Sequence, residues 1–175
     1  MRPIEHTLRG FCFESHSYEA KLFYVWVFFL PLFVPTKHIS FSLGNRIAGR
    51  DGERWNADAP NVVTDLRVAL KRDGLPFLRG LRSARDVAHA AQSLGRSQSL
   101  YVQQAIAYAL AYAGEAKRAV KALEALISAA DMTVPWQKEI AERAMDLKLS
   151  LCTESSDALR KLETWKTESI RVLKL

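Results

Sequence analysis

The chain has 175 residues, 49% of them hydrophobic and 25% charged, with only eight Gly and six Pro, which suits one ordinary globular domain and excludes a disordered or fibrous chain. The net charge of +6 is dispersed: residues 1–57 carry seven Lys/Arg against five Asp/Glu, and the rest of the surplus lies along the later helices. The densest basic cluster, Lys117, Arg118 and Lys121, is interrupted by Glu115 and Glu124, so it reads as a solvated helix face rather than a phosphate-binding stripe.

A short lead-in precedes a first strand expected at Gly10–Glu14 (GFCFE), where Phe11 and Phe13 alternate, and Ser15, His16 and Ser17 make a polar turn. The run Leu22–Val34, LFYVWVFFLPLFV, holds no charge. It is shorter than the roughly 20 residues of a transmembrane helix, and Pro31 and Pro35 oppose helix there. Its aromatic and β-branched residues predict a buried strand over Tyr18–Leu30, pairing back on the first. The acidic Glu5, Glu14 and Glu19 ahead of the run do not fit a signal peptide, so the expectation is a cytoplasmic protein with no membrane attachment.

The segment His38–Leu43, HISFSL, alternates strictly and predicts a half-solvated third strand, completing a meander within residues 10–44. Residues 49–60, GRDGERWNADAP, have the Gly, Asp and Asn content of a long surface loop.

Helical spacing begins at Asn61 and runs to about Gly74, followed by a connector, PFLRGL. Ser83 with Asp86 has capping-box spacing for a helix through Leu94, closed by Gly95. Leu100–Ala113 and Glu115–Ala130 predict a helical hairpin with Gly114 at the turn and with Ala105, Ala109, Ala116 and Ala119 allowing close approach. Thr133 and Pro135 open a helix to about Ser150, and Ser155, Ser156 and Asp157 offer cap chemistry for a last one. Trp136 and Trp165 are expected to point inward as core anchors. The fold expectation is α+β in a single domain over 1–175: a three-stranded antiparallel sheet with its loop in 1–57, then a bundle of five to six helices in 58–175.

The search for chemistry is mainly exclusion. There is no G-x-S-x-G elbow, no phosphate-cradling glycine loop and no zinc spacing among His6, Cys12, His16 and His38, so neither a catalytic residue, a cofactor nor a metal is expected. Cys12 and Cys152, in apolar settings, are expected as buried free thiols. An enzyme reading, in the form of a small hydrolase, would require His16, His38 and an acidic residue to meet in one pocket. What remains is binding: four Trp, five Tyr and eight Phe are abundant, and aromatics with Arg are the usual interface anchors. Arg46, Arg50, Arg54 and Trp55 in the loop region are the candidate partner-binding residues. Trp55 has the alternative of folding back over the sheet edge.

Two resemblances follow. Ala107, Leu110, Gly114, Ala119 and Leu123 fall near the small and large positions of a tetratricopeptide unit, so residues 100–130 resemble one such hairpin, without a second copy. The order of elements with "FYVWVFFLPLFVPTKHISFSLGNR", "GLPFL" and "LETWKTESIRVL" resembles a class of small bacterial proteins, some encoded beside secreted polymorphic toxins and read as immunity proteins. That resemblance implies a non-enzymatic protein-binding role, with a cognate toxin as the concrete partner. Such immunity proteins are often acidic when they oppose nucleases, whereas this chain is basic. Nucleic-acid binding through the basic surplus is the competing reading.

Overall fold

A computed structural model describes residues 6–175, so the lead-in expected before the first strand lies partly outside the described residues. It contains an antiparallel sheet followed by helices, the expected α+β class. β1 (Thr7–Ser15) pairs along its length with β2 (Leu22–Pro31), and β2 is the centre of the sheet. Both strands differ from expectation at their ends: β1 is longer, and β2 starts at Leu22 because Tyr18–Lys21 are taken up by the connecting turn. Pro31 ends β2, where its missing N–H costs least.

The third strand is a correction. His38–Leu43 forms no ladder; β3 is the next three residues, Gly44–Arg46, paired to Phe28–Trp26. The reason is steric. A side chain at position 44 would put its Cβ 2.6 Å from the Val27 carbonyl oxygen, so only glycine lets this backbone reach β2. The alternating segment instead drapes over the sheet, with the Phe41 ring edge-on to Phe28 at 5.1 Å and the Ser40 and Ser42 hydroxyls bonded to each other at 2.8 Å. The presumed 49–60 loop also contains a strand, β4 (Arg54–Asn56), which pairs with Leu22–Tyr24 beside β3 on the same edge of β2.

Helix α1 (Val62–Ala69) continues without a break through a π turn (Leu70–Gly74) into α2 (Leu75–Gly80), where a connector was expected. Pro76 cannot donate to Arg72, and an α turn would press its ring on that carbonyl. The wider turn, in which the Leu75 N–H donates to Leu70 O, absorbs the misfit. Then come α3 (Ala84–Ser93), α4 (Leu100–Tyr112), α5 (Ala116–Ala129), α6 (Pro135–Thr153) and α7 (Ser155–Leu173). With α1 to α2 as one rod, six helical units follow the sheet. The Ser83–Asp86 capping box at α3 forms in both directions. Gly114, at φ 76°, turns the chain between α4 and α5, and Ala105, Ala109 and Ala119 are buried between packed helices.

Side-chain alternation divides the sheet into two faces. Phe11, Phe23, Val25, Val27 and Trp55 face the α1–α2 rod, with Ile47 and Ala69 completing that layer. Phe29 and Phe33 enter a larger core formed by α3 to α7, where Tyr108, Leu123, Leu126, Leu147 and Leu162 are fully buried. Each such aliphatic side chain contributes about 1.5–3 kcal/mol of transfer free energy. Phe77 of α2 packs on both layers and meets Phe29 at 5.9 Å, joining sheet to bundle. The cysteines depart from expectation: Cys12 is half-buried and Cys152 is exposed. No described helix is long and apolar enough to cross a membrane.

A polar network ties the first strand to α4 and α7. The Tyr112 hydroxyl donates to Glu163 and lies 2.8 Å from His6 Nδ1, while Lys166 pairs with Glu163 and sits 3.4 Å from the same hydroxyl. The Lys166 ammonium and then the Tyr112 hydroxyl hold the Glu163 carboxyl below its ordinary value. A carboxyl lowered on folding stabilises above its unfolded value and loses that contribution as pH falls through the folded one. Glu163→Gln is therefore expected to cost up to about 1 kcal/mol near neutral pH, discounted because the group is partly exposed. In parallel urea titrations the gap to wild type closes as pH drops below about 4; a gap independent of pH would remove the charge from the account.

Candidate functional site

The loop arginines do not converge with Trp55. Arg46 stands on the sheet face opposite the helices, its guanidinium 3.8 Å from the Tyr24 ring centre and 4.9 Å from that of Trp26. Glu14 and Glu53 flank it at 3.9 and 3.6 Å. Arg54 emerges on that same face, by its pairing with Tyr24. Arg50 reaches back to Asp65 of α1 at 3.3 Å. Trp55 points the other way and is 5% exposed; it donates from Nε1 to Ile47 O at 2.9 Å and packs against Gly49 and Phe23. This is the fold-back over the sheet edge that the sequence left open as the alternative for Trp55. The indole closes the end of the sheet–rod layer and presents almost no surface to a partner.

His16 and His38 are likewise apart. His16 lies by the start of β2, where its backbone N–H donates to Leu22 O, and His38 lies past the other end of β2. The convergence that a hydrolase would need is not formed. Among the described residues no three His, Cys, Asp or Glu side chains are grouped to hold a metal ion.

The site that the fold does build lies elsewhere, where the 31–43 segment crosses α4, α6 and α7. These elements enclose a groove of about 650 Å³, within the size range of ligand-binding clefts. Its α6 wall is one helical stripe, Trp136, Glu139, Ile140 and Arg143, at the i, i+3, i+4, i+7 spacing that places side chains on one face. Val34, Leu30 and Val172 supply further apolar surface. Trp136 was expected in the core; it is 43% exposed and stacks on Tyr101 of α4, itself 49% exposed, with ring centres 5.3 Å apart and planes 7° from parallel. Trp165 does face inward, stacked on Tyr108 at 5.4 Å.

Two buried polar groups stand behind this aromatic pair on the same face of α4. Gln104 is 3% exposed and lines the groove. One turn on, the Tyr108 hydroxyl is fully buried and makes no hydrogen bond. Burial pushes the Tyr108 phenol up to about 12, offset in part by the neighbouring Gln104 carboxamide and by the positive charge of Arg143. Arg143 itself pairs with Glu139 at 2.5 Å along the groove wall. The arrangement offers flat aromatic surface and an apolar floor, edged by Thr36, His38, Ser40 and Ser42. No protein-family model matches this chain, and neither a curated protein nor a solved structure is found to be similar to it.

Proposed function

We propose that this is a non-catalytic, cytoplasmic protein-binding protein that engages a partner protein through the groove between α4, α6, α7 and the 31–43 segment. The supporting observation is the Tyr101–Trp136 stack, two large rings left half in water at the mouth of a concave apolar surface. Aromatic anchors of this kind carry most of the energy of protein interfaces, and burying them recovers surface that the free chain leaves wet. The most concrete form of the reading is a dedicated neutraliser of a bacterial toxin, which rests on the likeness to toxin-associated immunity proteins.

The dispersal of charge supports a protein partner over nucleic acid. Arg46, Arg50, Lys21 and Arg72 on the sheet side each pair with a carboxylate, as do Arg85 and Arg118, both held by Glu115. Phosphates would have to displace these partners.

The test compares the wild-type chain with Tyr101→Ala/Trp136→Ala, both immobilised against extract of the native host, with the retained protein then purified and titrated. The double variant is expected to keep its circular dichroism and to bind that partner weaker by tenfold or more, since hot-spot aromatics are each worth about 2 kcal/mol. A partner held equally well by both chains, or none held by either, defeats the reading.

A further inference from the structure

A second pocket, of about 400 Å³, lies at the open face of the sheet beside the connection from α3 to α4. Trp26, Asn45, Arg46, Glu53 and Arg96 line it, and it shares none of these residues with the groove. The Arg46 guanidinium is held there by the Tyr24 and Trp26 rings more than by hydrogen bonds. Its ion pairs, to Glu53 at 3.6 Å and to Glu14 at 3.9 Å, are both longer than a hydrogen bond, and its buried Nε finds no acceptor.

The two carboxylates are not equivalent. Glu14 is committed elsewhere, accepting from Trp26 Nε1 at 2.7 Å. The Glu53 side chain is 56% exposed, and an ion pair of that length in water is weak. Arg96 enters the pocket from beyond α3, exposed, and donates from one nitrogen to Ser42 O at 3.2 Å, with the rest of its fork available.

Two guanidinium groups with spare donors thus share one depression. Their forked N–H groups match the two oxygens of a carboxylate. With Glu53 turned outward, Arg46 and Arg96 stand against Glu14 alone, a shortfall of one negative charge. A phosphate dianion would bring two, next to a carboxylate that the Trp26 indole keeps in place. The Trp26 ring also gives a carbon stem a flat surface beside the charged end.

We propose that this pocket binds one carboxylate from outside the chain, carried on a short carbon stem, between Arg46 and Arg96. Glu53 is then the internal competitor that the incoming group displaces. The carboxylate has two sources, an acidic side chain of another protein or a free small acid.

The experiment titrates the whole nitrogen-15-labelled chain with N-acetylglutamate α-amide, propionate, N-acetylglutamine α-amide and inorganic phosphate. The Trp26 indole N–H, assigned by its loss in Trp26→Phe, and the Asn45 amide report the pocket. Saturable shifts at millimolar concentration are expected with the two carboxylates and not with the neutral amide. Arg96→Gln, an exposed change that leaves the fold intact, should weaken binding about tenfold. Glu53→Gln should tighten it about threefold, because the competing charge is gone. Tighter binding of the glutamate probe than of propionate upholds the site with a protein side chain as the source, and equal binding upholds it with a free acid. No saturable shift with either carboxylate overturns the proposal, as does an equal response to the neutral amide. Tighter binding of phosphate overturns it too, and so does wild-type affinity in Arg96→Gln or no gain in Glu53→Gln.

Discussion

Trp55→Ala is expected to be the most damaging single change outside the bundle, lowering stability by about 3–5 kcal/mol. The indole is buried between β4, Gly49, Phe23 and Ile47, so truncation opens a cavity whose walls are backbone and β-strand side chains with little freedom to collapse. Thermal unfolding should show a midpoint lower by about 10 °C for a chain of this length. Trp55→Phe separates packing from hydrogen bonding: it keeps most of the ring volume but leaves Ile47 O, now served at 2.9 Å, without its donor, and is expected to cost about 1–3 kcal/mol. Were either variant to melt like wild type, the indole would have to be free in solution and Trp55 would return as an interface candidate.

Gly74→Ala is the second large effect, at about 1–3 kcal/mol. A Cβ at position 74 would lie 2.5 and 2.9 Å from Phe11 ring carbons and 3.0 Å from Ile47 Cδ1. The ring belongs to β1 and the glycine to the π turn, so the added methyl pushes the rod off the sheet. Combining it with Phe11→Leu should recover part of the loss, because the smaller side chain vacates the space the methyl needs. In a double-mutant cycle the pair is then non-additive. Strict additivity would show that the clash is relieved some other way, by a shift of the rod along its axis.

These two positions also show where the sequence is informative and where it is silent. The β2 strand, the Ser83 capping box and the α4–α5 hairpin are all written in local patterns: an uncharged β-branched run, a cap with its reciprocal acid, small residues around Gly114. Each is specified by neighbours within a few positions. The failures are positions whose role depends on distant chain. The alternation in His38–Leu43 was real, but it recorded Phe41 leaning on Phe28 rather than a ladder, because pairing with β2 depends on the clearance that Gly44 provides against Val27. Pro76 signalled a break, and the break was absorbed by five residues of wider helix. Trp55 left two readings open because its neighbours Arg54 and Asn56 are solvent-facing, and the fold-back over the sheet edge is the one formed.

The groove was hardest to read. Trp136 and Tyr101 have the composition of core anchors, and only the packing of α4 against α6 shows that they stack on each other at the rim. Gln104 sits among alanines in the most apolar helix, where its burial follows from position alone. What the sequence did carry was the excess of aromatics over what one core needs; where the excess would surface depended on helix order.

Arg9 extends in a different direction. It sits on β1, the outermost described strand of the sheet, with its side chain on the helix-facing side and its guanidinium donating to the carbonyls of Leu78 and, at 2.8 Å, Leu81. Those carbonyls close α2, at the negative end of the rod's dipole, so the cation neutralises the helix end while holding the strand against it. The same strand presents nine residues of backbone on its free side, a template on which another chain could add. A charge buried inward along such an edge penalises stacking of copies, since any slip that extended the ladder would have to pull the guanidinium from its two carbonyls. The edge is thus guarded from inside, by a half-buried side chain held on the helix end.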